Sequence, residues 1–176
     1  MLSFEQLRDS LVPAGYSISE TVLGMYEKTG TVFELKSDRG PVTEADLYSH
    51  TQISKFLNHF GWPIISEESK EMGNVPTSGP FWVIDPLDGT KDFLEKSGEF
   101  SIMIALVNDS APIFSLVYLP VPDKLYIAGK SKGTWLRLGK NEQRCQVSSV
   151  EDLKDARFLV SRHHPDSSVA KIKAFY

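Results

Sequence analysis

One cysteine, Cys145, is all that a chain of 176 residues contains. An internal disulfide is therefore excluded, and a reducing compartment, the cytoplasm, is the expected location. Long apolar runs are missing too. A stretch such as SIMIALV at 101–107 is far short of the roughly 20 residues that span a bilayer. The opening MLSFEQLRDS has early acids and no basic flank leading into an apolar core, so it does not read as a signal peptide. Positive charge is in deficit: 19 Lys and Arg face 23 Asp and Glu, for a net charge of −4, which excludes the electrostatic footprint of a nucleic acid polymer binder. An anionic small molecule stays open as a partner, because a bound cation inverts the local field. Internal repeats and low-complexity tracts are absent. What is present is ordinary globular material, 41% hydrophobic and 24% charged, enough for one domain or one and a half.

Apolar positions at helical spacing mark residues 3–12 (Phe4, Leu7, Leu11) and 16–29 (Ile18, Val22, Met25, Tyr26). Pro13 and Gly15 predict a kink or short break between them. KSDRGPVT (36–43) reads as a loop. Thr43 then opens a helix over 44–59, with Leu47, Ile53, Phe56, Leu57 and Phe60 on its apolar side. Strand signals follow at 62–65 and 81–85, and then at 100–107, 113–119, 124–129 and 133–138, punctuated by NDSAP, PVPD and KSKG. Sequential strands after helices predict an α+β fold, a helix pair packed on an antiparallel sheet. ARFLVSR (156–162) predicts a new strand, HHPDSS a turn and VAKIKAFY a helix. These would begin an α/β unit that has no later strands to pair with.

The acids at element ends raise a physical problem. In FWVIDPLDGTKDF (81–93) a strand that reads as buried ends on Asp85, and Asp88 follows three residues later. A buried carboxylate is costly unless compensated, and several acids together cannot all ionise without a cation. Asp46, Glu67, Glu68, Asp85 and Asp88 form the candidate set. Magnesium suits them, since it takes oxygen ligands and is held by one or two carboxylates plus substrate phosphate. Pro86 favours a sharp turn that returns Asp88 to the side of Asp85, and the Leu87 carbonyl is then available as a neutral ligand. Gly89 and Thr90 stand at the predicted start of a helix, where free N–H groups suit a phosphate oxygen.

Plainer readings exist for each piece. Pro-Leu-Asp-Gly is a type I turn signature. Thr43-x-x-Asp46 resembles a capping box, and Glu67-Glu68 a solvated pair. Two sharper alternatives fail on spacing. An EF-hand loop from Asp85 would need a glutamate where Lys96 stands, and a DxDxT phosphatase would need an acid at Leu87. The adjacent His163 and His164 read as solvated surface, and Cys145 as a packing or surface residue.

VTEAD (42–46), PIISEES (63–69) and WVIDPLDGTKDF (82–93) resemble, in order, the N-terminal motifs of the inositol monophosphatase superfamily of magnesium-dependent, lithium-sensitive phosphatases. SDRGPVTEAD, DGTKDF and GEFSIMIAL look most like its 3′(2′),5′-bisphosphate nucleotidase branch, whose members remove the 3′-phosphate of 3′-phosphoadenosine 5′-phosphate, a by-product of sulfate activation. Inositol monophosphatases are the relatives most easily confused with that branch. The resemblance implies two or three magnesium ions and a small phosphorylated substrate, with no membrane partner. It leaves the oligomeric state open, a homodimer being frequent in the family.

The resemblance also implies roles. Glu67, Asp85, the Leu87 carbonyl and Asp88 would bind metal, with Glu68 just behind them. Thr90, held by Asp46, would address the attacking water, a metal-activated one that needs no covalent phosphoenzyme. The N–H groups of Gly89 and Thr90 would hold the phosphate. Lys36 and Asp38 match a loop near the site, and Arg162 a position near the substrate cleft. Family members continue into an α/β domain with a further aspartate ligand, and nothing in 146–176 matches that motif. The expected organisation is a metal-binding phosphatase domain over 1–145 and the start of an incomplete α/β domain over 146–176. The chain taken alone is expected to be weakly active or inactive, a metal-binding or interaction fragment of a longer enzyme.

Overall fold

Ser3 starts the first helix because its side chain accepts the Gln6 N–H while Gln6 reaches back to the Ser3 N–H, a reciprocal capping box. The computed structural model describes residues 2–28, 33–36, 40–69, 75–157 and 159, with the side chains of 33–36, 40 and 41 outside that description. Helix α1 runs unbroken over Phe4–Glu27 with Pro13 inside it, so the predicted break does not occur. Pro13 stands on the exposed side, while Leu7, Leu11, Val12, Gly15, Ile18 and Val22 bury one continuous stripe. Packing of that stripe outweighs the one backbone hydrogen bond that a helical proline removes.

The predicted loop at 36–43 is in part a hairpin, β1 (Phe33–Lys36) against β2 (Gly40–Thr43). Helix α2 (Glu44–Leu57) follows, extended by a turn of 3-10 helix at Asn58–Phe60. Its buried residues are Ala45, Asp46, Ser49, Ile53 and Leu57. The stripe that faces the core is thus polar at its N-terminal end. Leu47, expected on the apolar side, is 51% exposed.

The main sheet has seven strands in chain order: β3 (Ile64–Ser66), β4 (Pro80–Asp88), β5 (Ser101–Asn108), β6 (Ala111–Leu119), β7 (Lys124–Gly129), β8 (Gly133–Leu138) and β9 (Asn141–Cys145). A short helix, α3 (Thr90–Leu94), lies between β4 and β5. The sheet is mixed and not purely antiparallel, because β3 pairs parallel with β4. A parallel pair needs a long connection, and residues 67–79 supply it.

Contacts tie α1 to α2 and to β6, and α2 to β4. The core between them includes Leu11, Ile53, Leu57, Trp82, Phe93, Phe114, Leu116 and Ile127, all essentially inaccessible. Burying a side chain such as Ile53 or Leu57 contributes about 1.5–3 kcal/mol, so α2 is held firmly against the sheet. Elsewhere on β3–β6 lies an apolar hollow of about 580 Å³, lined among others by Val83, Met103, Ala105 and Val117.

By contacts the chain divides into two units, Met1–Cys145 and Gln146–Tyr176. The described part of the second holds one 3-10 turn, Leu153–Asp155. Ala156, Arg157 and Leu159 are in no regular element. The rest of the strand predicted at 156–162, and the turn and helix after it, lie outside the described residues. Among the described residues no helix is long and apolar enough to cross a membrane.

Candidate metal and phosphate site

Strand β4 does not stop at Asp85 as expected; it continues to Asp88 through an irregularity. Asp85 faces Met103 of β5 and Asp88 faces Ser101, so β4 takes one residue more than its partner. This is the signature of a bulge. In a regular strand, residues three apart point to opposite faces. The extra residue brings Asp88 back towards Asp85, whose carboxyl feels the Asp88 charge. Pro86 and Leu87 are buried while Asp85 is half-buried.

Glu67 comes from the neighbouring segment. Its N–H donates to the Ile84 carbonyl at 3.3 Å, which places it beside Asp85. The Asp85 carboxyl is pushed up to about 7, first by burial, then by the charges of Glu67 and Asp88, and it shares a hydrogen bond with the Glu67 carboxylate. Its Oδ1 also accepts the Leu87 N–H at 3.2 Å. Without a cation the group keeps, up to about neutral pH, a proton that carboxylates normally lose near about pH 4. This is the environment a divalent cation would relieve, so Glu67, Asp85 and Asp88 fit a metal by their chemistry. Among the described residues, however, no three His, Cys, Asp or Glu side chains already form a group that could hold an ion.

Asp46 sits at the start of α2, 1% exposed. The capping box is real: Asp46 Oδ2 accepts the Thr43 N–H at 2.7 Å and the Thr43 hydroxyl at 2.6 Å. Its other oxygen, Oδ1, accepts the Thr90 hydroxyl at 3.0 Å. One carboxylate therefore caps a helix and holds Thr90. Burial raises its pKa above the usual carboxylate range against these hydrogen bonds, and the Glu68 charge adds to the rise. The Thr90 hydroxyl lies 3.4 Å from the Leu87 carbonyl oxygen.

Gly89 adopts a left-handed conformation, φ +90°, at the cap of α3. A Cβ there would meet the Glu99 carbonyl oxygen at 2.9 Å, so only glycine fits the turn between Asp88 and Thr90. Lys36 ends β1, but its side chain lies outside the described residues, as do Asp38 and Arg162. Sequence reasoning missed Ser49 and His50. Ser49 donates to the Pro86 carbonyl at 2.7 Å, and the His50 Nδ1 lies 2.8 Å from the Ser66 hydroxyl. Their spacing from Asp46, three and four residues along one helix, is the signal that could have found them.

Acids around a strand bulge, beside a helix cap on a helix-backed sheet, are an arrangement whose chemistry suits a divalent cation and a phosphate. The chain belongs to the inositol monophosphatase family, whose model matches residues 4–174. Among its relatives is a 3′(2′),5′-bisphosphate nucleotidase CysQ of Shigella flexneri, 32% identical over 168 residues, covering 92% of this chain and 65% of the relative. The crystal structure of CysQ from Bacteroides thetaiotaomicron matches with a TM-score of 0.71 and 28% identity over 94% of this chain and 66% of the other. The extragenic suppressor protein suhB from Bartonella henselae matches with a TM-score of 0.70 and 26% identity over 82% of this chain and 55% of the other. The chain thus spans about two thirds or less of the length of these relatives.

Proposed function

We propose that this chain carries the catalytic metal site of a magnesium-dependent phosphomonoesterase that removes the 3′-phosphate of 3′-phosphoadenosine 5′-phosphate. The observation that carries the reading is Asp85 at the β4 bulge, facing Glu67 and Asp88 and followed within the same turn by Thr90, whose hydroxyl Asp46 holds. The similarity to bisphosphate nucleotidases supports the substrate class. A cytoplasmic place in sulfur metabolism follows from that substrate.

Glu67, Asp85, Asp88 and the Leu87 carbonyl would hold magnesium, and Glu68 would support them from behind. Bound magnesium would supply positive charge against the phosphate and lower the pKa of water. The Thr90 hydroxyl spends its hydrogen on Asp46, which leaves its lone pairs to accept a hydrogen bond from the attacking water. A proton leaving that water would pass towards Asp46, whose raised pKa makes it the better base. The water oxygen bonds to phosphorus as the bond to the 3′-oxygen breaks. The N–H groups of Gly89 and Thr90 would hold the phosphate oxygens, and Lys36 and Arg162 would approach the substrate.

A second reading, metal binding without turnover, is favoured by the chain's spanning only 65% of the length of the Shigella flexneri relative. Phosphate release from 3′-phosphoadenosine 5′-phosphate and from inositol 1-phosphate, with magnesium and with Asp85→Ala as control, separates the readings. Release from the nucleotide that the variant lacks supports the proposal. Preference for inositol 1-phosphate would make the protein an inositol monophosphatase. Metal binding with no release from either would leave the second reading.

A further inference from the structure

Resting on the reading of the acids as metal ligands, we propose that His50 is a positioning residue for Glu67, acting through Ser66. Three polar residues on one face of α2 reach three different segments of the site. Asp46 takes the Thr90 hydroxyl at 3.0 Å, Ser49 donates to the Pro86 carbonyl at 2.7 Å, and His50 Nδ1 meets Ser66 Oγ at 2.8 Å. The first two act on the β4 bulge and the residues just after it. The third acts on the turn that bears Glu67.

Ser66 is the last residue of β3 and is 1% exposed. Its hydroxyl has one hydrogen and two lone pairs, and it is used twice. One contact is the His50 ring nitrogen, and the other accepts the Glu68 N–H at 3.2 Å. The turn is closed again by the Ser69 N–H on the Ser66 carbonyl at 3.1 Å. Glu67 lies inside this turn, and its carboxylate faces Asp85. With the ring nitrogen gone, the Ser66 hydroxyl is free to leave its rotamer and release the Glu68 N–H. The peptide units on both sides of Glu67 then lose a constraint that the β4 ladder alone does not replace. His50 touches none of the acids in any of these contacts. Its effect on a metal would be transmitted through two hydrogen bonds, the kind of outer partner whose loss weakens metal affinity about 10–100-fold.

The test uses manganese as the probe, with the free ion counted by its EPR signal, and a melting curve in EDTA for each variant. The full chain is compared as wild type, His50→Ala, Ser66→Ala, the double variant, His50→Asn and Asp85→Ala. We expect His50→Ala and Ser66→Ala each to weaken manganese about 10-fold or more. The double variant should be no weaker than either single one, because both break one path. His50→Asn, whose amide can stand where Nδ1 stands, should recover most of the affinity. Wild-type affinity in His50→Ala would overturn the proposal. So would a loss that asparagine does not rescue and that follows the melting temperature in EDTA. If His50→Ala fails to fold, Ser66→Ala carries the same expectation and the same refutation. A wild type that binds manganese no better than Asp85→Ala would overturn the reading of the acids as ligands, and this proposal with it.

Discussion

The Thr90 hydroxyl donates to Asp46 Oδ1 at 3.0 Å across 44 positions of sequence, joining the first turn of α2 to the first residue of α3. Thr90→Val keeps the shape and removes the donor, leaving a buried carboxylate oxygen short of a partner. We expect phosphate release to fall about 10²–10⁴-fold and stability to fall by about 1–3 kcal/mol. Thr90→Ser should recover most of both. Initial rates and urea melts check this.

The pH dependence of the metal-free protein should have an unusual sign near neutrality. A free aspartate has a pKa of 3.8, and in the fold Asp85 is raised to about 7. The folded state therefore holds a proton that the unfolded chain has released. The contribution of this group is full below about pH 4 and is lost as pH rises through about 7. Melting temperatures in EDTA should fall from pH 5 to pH 8, and Asp85→Asn should flatten the slope, by about 1–2 kcal/mol at pH 8 once solvent screening is allowed for. Magnesium should offset the loss in wild type and not in the variant.

Gly89→Ala should destabilise the fold by about 2–4 kcal/mol. The left-handed backbone costs a non-glycine residue about 1–2 kcal/mol, and the added Cβ would press on the Glu99 carbonyl oxygen at 2.9 Å. Urea unfolding followed by tryptophan fluorescence measures it, and a loss below 1 kcal/mol would contradict the described turn.

Lys96 caps a helix that has no basic residue in its own last turn. Its ammonium donates to the Tyr26 carbonyl and to the Lys28 carbonyl, the latter at 3.1 Å, and lies 4.6 Å from the Tyr26 ring centroid. Lys96→Met keeps the stem and loses the charge. The expected cost is about 1 kcal/mol, a fall of about 2–4 °C in melting temperature for a domain of this size.

The strands β4 to β8 were legible because their apolar alternation and their turns are strong local signals. β9 was not. Its sequence, NEQRC, is polar and nearly all exposed, so only pairing with β8 makes it a strand. Pro13 misled for a related reason, since a local helix breaker says nothing of the stripe that packs around it. The hairpin of β1 and β2 was hidden by turn formers that dominate 36–43. At the site, Asp46, Glu67, Asp85, Asp88 and Thr90 could be named from motifs, as could the capping box. The bulge could not, because it exists only relative to β5. Ser49 and His50 share a helix face with Asp46, but what they hold could not be read, because their partners lie 37 and 16 residues away.

Each strand from β4 to β9 pairs with its neighbour in sequence, and from β5 onward the connecting turns are only a few residues long. Such pairings close small loops and cost little chain entropy. The links from α2 to the site instead span 16 to 44 residues, so they are expected to form late in folding. During refolding, backbone amides of β5–β7 should gain protection from exchange early, and those at the start of α2 later. The part of the molecule that carries the chemistry would then be the last to assemble.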